Sequence, residues 1–324
     1  MGKKSKTPKK TNAVSSDDVR VRPTESGFLR GPWPAVLLTI LVLTPFINKA
    51  FHIDDTVYLY EARQIRQEPL HPYHAIYSWY TSPQSSWVNN NNPPLNAYLL
   101  AAAGAIGGER EWIFHLFYLL PACGCAALMF LIARRFCRHP NLVTVLTIAS
   151  PAFLVSAGNV MTDIPLLFFW LAAVFFTVEA AESSTDSKLW CAAGAAAAAA
   201  MTKYFGIAVV PLVLLFWFVR TRRFSIHLLA FLLPVAFLIL WNLYSKTQYG
   251  AFHFFAAAKQ STAAARDIPL SIANTMTFLG GTSVWPIALV PLLFRINWKS
   301  AAAGAGFFLL LCAWNAKKIP DPVF

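Results

Sequence analysis

Charge is what this chain has least of. Only 13% of its 324 residues are charged, whereas 56% are hydrophobic and the mean hydropathy is +0.49. Soluble domains carry about a quarter charged residues, so the composition excludes an ordinary soluble domain. The apolar stretches also lack a period-2 alternation, which argues against a β-barrel. Because a backbone inside lipid must satisfy its own hydrogen bonds, the sequence predicts an all-α, polytopic transmembrane helix bundle.

Cysteine is scarce as well, with five residues in the chain. The closest pair, Cys123 and Cys125, lacks the spacing of a zinc or redox motif, so the cysteines are predicted to pack as small hydrophobic residues. Two further absences concern transport. The chain shows no internal repeat and no matched pair of Gly/Pro-broken helices, the usual indication of a transporter site at the membrane midplane.

Positive charge is the exception, with a net charge of +12. Residues 1–31 are polar and lysine-rich, which predicts a disordered cytoplasmic tail that can contact anionic membrane lipid. Residues 32–324 form the predicted membrane domain. Its basic residues lie in short loops between apolar runs, as the positive-inside rule requires, so nucleic acid is not an expected partner. No small-residue cleavage site follows the apolar run 33–48, which is therefore an expected anchor and not a signal peptide.

Apolar runs long enough to cross about 30 Å of hydrocarbon recur along the chain. About nine spans are predicted, at 33–48, 112–133, 141–158, 164–181, 189–201, 204–219, 226–244, 270–293 and 300–315. A tenth apolar piece, 95–107, is short, and the charges decide its place. If 95–107 is a juxtamembrane or re-entrant helix, three basic loop clusters fall on the cytoplasmic side with the N-terminus. If it crosses, all three move outside, against the positive-inside rule.

This threading predicts a multi-pass protein of the plasma (inner) membrane whose outer face carries the ionisable residues of several loops. The loop 49–94, the corners at 159–163 and 201–204, and the loop 245–269 all fall on that face. Asp54, Asp55, Asp163 and Lys203 can therefore meet at one membrane surface.

Asp54 and Asp55 are adjacent carboxylates just beyond the first apolar run. A helix N-cap explains one of them, because Asp caps well and acids suit a first turn. The segment 56–66 that follows is predicted to be a surface helix with apolar residues along one face. The second acid needs another reason, and a general base is one, since adjacent like charges raise each other's pKa. Both alternatives stay open for Asp163, which precedes a proline where a span begins. Lys203, embedded in apolar sequence, either extends to the interface or serves a function.

Other outer-loop residues give weaker signals. The asparagines 89–92 precede two prolines, which predicts a loop before a short helix, and their amides could hold sugar hydroxyls. His52, His71, His74 and His253 lack metal-ligand spacing and are expected to be solvated. The loop 245–269 is aromatic and basic, which suits a phosphate or a sugar.

Four of these segments resemble the GT-C glycosyltransferases: protein O-mannosyltransferases, lipid A aminoarabinose transferases and rhizobial lipopolysaccharide sugar transferases. The run from Asp54 to Tyr58 is similar to their acidic motif in the first outer loop, with Asp55 where Glu is usual. Asn92-Pro93-Pro94-Leu95 is similar to the family's Pro-Pro-Leu. Thr162-Asp163-Ile164-Pro165 resembles its second Asp, and Thr202-Lys203-Tyr204 its lysine corner. The segments keep the family's order over about residues 33–255.

The resemblance implies inverting transfer of a sugar from a polyprenyl-phosphate donor to a lipid, glycan or protein hydroxyl on the outer face. It makes Asp54 the expected base, with Asp55 and Asp163 orienting it or sharing Mg²⁺ or Mn²⁺, a metal requirement that stays open. Lys203 is the expected phosphate ligand. The remaining predicted substrate contacts are Tyr58, Arg63, Asn92, Pro94 and His253.

Two other functions stay open: a transporter or flippase for lipid-linked sugar, and a non-catalytic membrane subunit. The chain ends at Phe324, whereas family members usually have more spans or an outer soluble domain. A C-terminal truncation and a reduced family member both explain this difference.

Overall fold

The computed structural model describes residues 31–52, 54–78, 82–183 and 185–264. The predicted spans 270–293 and 300–315 lie outside these residues, as does all but the last residue of the predicted tail. The described part is mainly helical with one short hairpin, which agrees with the predicted helical class.

The helices are α1 (Trp33–Leu43), α2 (Asp55–Gln67), α3 (Ser86–Asn89), α4 (Leu95–Gly107), α5 (Glu111–Phe136), α6 (Pro140–Ile148), α7 (Pro151–Ala157), α8 (Asp163–Ser183), α9 (Lys188–Thr202), α10 (Val209–Thr221), α11 (Leu232–Tyr249) and α12 (His253–Ala264). Short 3₁₀ turns cover Thr44–Phe46, Pro72–His74, Tyr204–Ala208 and Ile226–Phe231. The hairpin pairs β1 (Ile76–Ser78) antiparallel with β2 (Pro83–Ser85).

Four helical stretches are long and apolar enough to cross a membrane: Glu111–Phe136, Asp163–Ser183, Tyr204–Thr221 and Ile226–Tyr249. The pair α6 and α7, bent by 61°, would make a fifth. Seven spans were predicted over the same residues, so about nine for the chain is not confirmed. The difference lies in α1 and α9. At 1.5 Å per residue, the 15 residues of α9 reach only about 22 Å, less than the hydrocarbon thickness.

Helices α2 and α4 lie side by side and run in the same direction. The first turn of each helix contacts the backbone of Val160. The Asp55 carboxylate of α2 accepts the Val160 N–H at 3.0 Å, and the Asn96 amide of α4 donates to the Val160 carbonyl at 3.3 Å. Glu109 joins their C-terminal ends, because it follows α4 in the sequence and forms an ion pair with Arg66 in the last turn of α2. Apolar side chains of the two helices share one core cluster. The 13 residues of α4 make it shorter than the candidate spans, and its juxtamembrane position stays a prediction.

The bundle α5–α11 has two chemically different ends. At one end, which we call the basic end, Arg135 pairs with Glu179, and Arg223 donates to Asp186 at 2.7 Å. Asp163 begins α8, whose 21 residues extend about 30 Å from the basic end. The opposite end, called the site end, therefore holds the 159–163 corner. The grouping agrees with the threading prediction, and the side of the membrane that each end faces stays a prediction.

A close contact fixes the corner that carries Lys203. Lys203 is extended, with φ −153° and ψ 135°, and ends α9; the chain then turns back through the Tyr204–Ala208 turn. A Cβ atom on Gly206 would lie 2.1 Å from the carbonyl oxygen of Ala199, so the turn requires glycine. The indole of Trp170 donates to the Gly206 carbonyl at 3.1 Å. These contacts hold Lys203 against the start of α8.

Candidate functional site

The two adjacent acids of the first loop have different environments. The Asp55 side chain is fully buried, and its two oxygens accept the backbone N–H groups of His52 at 2.8 Å and Val160 at 3.0 Å. Burial raises the pKa of Asp55, and the two backbone hydrogen bonds partly oppose that rise. Asp54 makes no side-chain capping bond and is 45% exposed. Asp55 therefore anchors the start of α2 to the 159–163 corner. The Asp54 carboxylate, one residue earlier, faces solvent.

Asp163 and Lys203 form an ion pair at the site end. The Lys203 ammonium donates to the Asp163 carboxylate at 3.0 Å, and both side chains are more than a third exposed. An ammonium has three N–H donors, and this contact uses one of them. The pair can therefore accept an anionic group from solvent without first being broken.

Tyr58 connects three of the segments that the sequence singled out. Its ring is buried in the α2–α4 core, and its hydroxyl accepts the Asn92 amide N–H at 2.9 Å. Thr162, next to Asp163, also hydrogen-bonds to this hydroxyl. Burial is the main cause that raises the Tyr58 pKa. Pro94 is buried at the start of α4. The structure thus brings Tyr58, Asn92 and Asp163 together, and their contact with substrate stays a prediction.

Glu61 is a buried acid that the sequence analysis did not select. It is fully buried, and both of its oxygens accept from the Asn90 amide, at 2.8 and 2.9 Å. Burial raises its pKa to about 8, although the hydrogen bonds from Asn90 act in the opposite direction. A sequence signal existed: Glu61 lies three residues after Tyr58, on the helix face that was predicted to be apolar.

Replacing Glu61 with Gln is expected to remove a pH dependence of stability. Between the usual Glu pKa of about 4.3 and the folded value of about 8, folded Glu61 holds a proton that the unfolded chain lacks. The free energy of unfolding therefore falls by about 1.4 kcal/mol per pH unit as pH rises. Buried His253, with its pKa lowered to about 4, gives the opposite slope up to about pH 6.5.

The net loss of stability thus lies between about pH 6.5 and 8 and amounts to about 2 kcal/mol. Melting temperatures of the purified chain in detergent, measured across this interval, check the expectation. Wild type should become less stable as pH rises, and Glu61→Gln should show a flat profile. Equal slopes for the two proteins would contradict a protonated Glu61.

His253 is not the solvated loop residue that was expected. It is buried at the start of α12 and stacks on Tyr73 at 4.9 Å between ring centroids. Its Nε2–H donates to the Asn90 carbonyl at 2.9 Å, which leaves Nδ1 to accept from the Tyr204 hydroxyl at 2.8 Å. Burial lowers its pKa to about 4. Neutral His253 therefore joins the asparagine loop to Tyr204, the neighbour of Lys203.

Arg63 lies apart from this group. Its Nε donates to Glu109 at 2.6 Å, more than two helical turns along α2 from Asp54. The structure thus places this predicted substrate contact near the far end of α2.

Two of the three acids at the site end, Asp55 and Asp163, have partners that do not suit a shared Mg²⁺ or Mn²⁺. Both Asp55 oxygens already accept backbone N–H groups, and the Asp163 oxygen lies 3.0 Å from an ammonium. A hard divalent cation needs several oxygen ligands, and a neighbouring ammonium repels it. Within the described residues, these three acids do not form a group whose ligand atoms converge.

Two apolar grooves include residues that follow Asp163 and Lys203 closely in the sequence. One, of about 220 Å³, is lined by Pro165, two residues after Asp163, together with side chains of α4 and α5. The other, of about 350 Å³, is lined by Ile207, four residues after Lys203, together with side chains of α11 and α12. The lining of both grooves is mainly apolar and suits hydrocarbon chains.

Residues 91–244 match the family described as dolichyl-phosphate-mannose-protein mannosyltransferase. The match covers slightly less than half of the chain and includes Asn92, Asp163 and Lys203, but not Asp54. It supports the GT-C superfamily and suggests a membrane glycosyltransferase with a lipid-linked sugar donor. No curated protein and no solved structure matches the chain.

Proposed function

We propose that this chain transfers a sugar from a polyprenyl-phosphate donor to an acceptor hydroxyl on the outer face of the membrane, with inversion at the anomeric carbon. One observation carries the proposal. The solvent-facing Asp54 carboxylate and the Asp163–Lys203 pair lie at the same end of an apolar bundle.

Asp54 is the proposed general base. The acceptor oxygen attacks C1 of the sugar as Asp54 takes the proton of that hydroxyl, and the C1–O bond to the lipid phosphate breaks. A base must be reachable by the acceptor, and Asp54 is the more exposed of the two adjacent acids. Direct displacement with a single base and no covalent intermediate gives inversion.

Lys203 is the proposed ligand of the lipid phosphate, and Asp163 is a positioning residue. The donor is a phosphate diester with one negative charge, and the leaving lipid phosphate gains a second. An ammonium beside it stabilises that developing charge. The ion pair with Asp163 holds the Lys203 ammonium in position before the donor arrives. This role for Asp163 differs from the tuning of the base that was expected from sequence.

We propose that the apolar grooves bind the hydrocarbon chains of the lipid substrates. A polyprenyl chain enclosed by the groove at Ile207 would place its phosphate close to the Lys203 corner. The groove at Pro165 borders the other member of the pair and could receive a lipid-borne acceptor. Each groove is lined mainly by apolar side chains, as hydrocarbon requires.

A transporter or flippase is the main alternative, and the charges argue against it. Transporters place ionisable groups near the midplane of their spans. Among the described candidate spans, Asp, Glu, Lys and Arg occur only within five residues of a helix end, as Asp163 does in α8 and Arg220 does in α10. This distribution favours chemistry at a membrane surface over passage through the bundle.

A transfer assay on the purified full chain in vesicles tests the proposal. The probe is polyprenyl phosphate carrying tritiated mannose, with a membrane extract of lipid and protein as the acceptor pool. A sugar on a lipid phosphate is released by mild acid, whereas a sugar in a glycosidic bond is not. We expect the label to become acid-stable only when the chain is present. Label that stays acid-labile but crosses the vesicle membrane would support the flippase instead.

A further inference from the structure

Three potential metal ligands converge where α2 ends, away from the proposed transfer site. Glu68, His71 and His74 each offer one ligand atom, and these atoms lie within 4.8 Å of one another. The Nδ1 atoms of His71 and His74 lie 3.8 and 3.4 Å from the same Glu68 oxygen. The sequence spacing did not indicate a site, and the 3₁₀ turn Pro72–His74 is what brings the second imidazole back to the first.

The hydrogen bonds around the cluster select the atoms that would bind an ion. The Nε2 of His71 faces the amide oxygen of Gln248 at 3.2 Å, so Nε2 carries the proton and the lone pair is on Nδ1, towards Glu68. The Gln64 amide donates to the Glu68 carboxylate at 3.1 Å. Outer contacts of this kind orient ligands in metal sites. The imidazole of His74 is held edge-on by the ring of Tyr249.

The separations can accommodate a tetrahedral ion, and the His74–Glu68 contact is also a long hydrogen bond in the absence of one. An N–H···O bond usually measures about 2.9–3.0 Å, and both imidazole–carboxylate distances exceed this. Ligands at about 2.0–2.1 Å from a tetrahedral zinc ion lie about 3.3 Å apart, close to the 3.4 Å observed for His74. Two imidazoles and one carboxylate are a common ligand set for Zn²⁺, with the fourth position open to water.

We propose that Glu68, His71 and His74 form a Zn²⁺ site that joins the end of α2 to the end of α11. Direct contacts already connect the two: the Tyr244 hydroxyl donates to the Leu70 carbonyl, and His71 contacts Gln248. All three ligands are at least one-third exposed, so an ion can enter from solvent. The site is independent of the transfer reaction, because it touches none of the residues proposed for that reaction.

Zinc content of the full chain in detergent tests the site. The protein is stripped with a chelator, equilibrated with a buffered excess of Zn²⁺, freed of unbound metal and measured by mass spectrometry. We expect wild type to hold about one Zn²⁺ more per chain than the double variant His71→Gln/His74→Gln. Taking the difference removes zinc held by the free cysteines. His139→Gln, an exposed histidine at the basic end, is the matched control and should lose none.

Two further variants protect the test against misfolding. Glu68→Gln is nearly isosteric and should also lose the ion. Gln248→Ala leaves all three ligands in place and should weaken Zn²⁺ binding by about 10- to 100-fold, as loss of an outer contact does. Equal zinc content in wild type and in both ligand variants would overturn the site. Unchanged affinity in Gln248→Ala would overturn the proposed orientation of His71.

Discussion

Replacing Asp54 with Asn should reduce sugar transfer by about 10²- to 10⁴-fold, the usual contribution of a general base. The amide keeps the size of the side chain but cannot take the acceptor's proton. Because Asp54 is half-exposed and makes no capping bond, the melting temperature should stay close to that of wild type. The measurement is the rate of formation of acid-stable label, with the folded fraction checked for each protein.

The neighbouring acid provides the matched control. Asp55→Asn is the same chemical change one residue later, but there the carboxylate is buried and accepts two backbone N–H groups. An Asn side chain has only one acceptor oxygen, so one buried donor loses its partner at a cost of about 1–3 kcal/mol. Asp55→Asn should therefore lower the melting temperature. If Asp54→Asn transfers at the wild-type rate, or if only Asp55→Asn is inactive while fully stable, the assignment of the base is wrong.

The contrast between Asp54 and Asp55 shows where sequence reasoning ends. The pattern located the acidic pair and predicted a surface helix over 56–66, and the structure has α2 there. Which acid is buried depends on Val160, more than 100 residues away, and no local pattern encodes that contact. Lys203 and Asp163 were correctly expected to meet, because helix length and charge fix which helix ends share a surface.

Glu61 and His253 were missed or misjudged for the same reason. Both environments depend on Asn90, which binds Glu61 through its amide and His253 through its carbonyl. Four consecutive asparagines predict a turn, and the pattern does not show that one of them, Asn90, hydrogen-bonds to two buried side chains. The short helix α9 is a different case. Its alanine-rich sequence predicts a span, and the helix runs between the two ends of the bundle, but its 15 residues are shorter than the hydrocarbon thickness, so this span is not confirmed.

Lys203→Met is expected to lower kcat for transfer by about 10²- to 10³-fold, the range found when a preorganised charge partner is removed. The donor phosphate has one negative charge before reaction and approaches two as the bond to C1 breaks. An ammonium beside it therefore stabilises the transition state more than the bound donor, so kcat should fall more than KM rises. Methionine keeps the length of the side chain and most of its packing.

Asp163→Asn separates the charge on Lys203 from its position. This variant keeps the ammonium but loses the ionic partner that holds it at 3.0 Å, so transfer should fall less than in Lys203→Met. The pair is more than a third exposed, and its loss should change stability little. A Lys203→Met enzyme with wild-type kcat and only a raised donor KM would show that the lysine helps to bind the lipid but does not assist its departure. In that case the leaving phosphate must be stabilised by another cation.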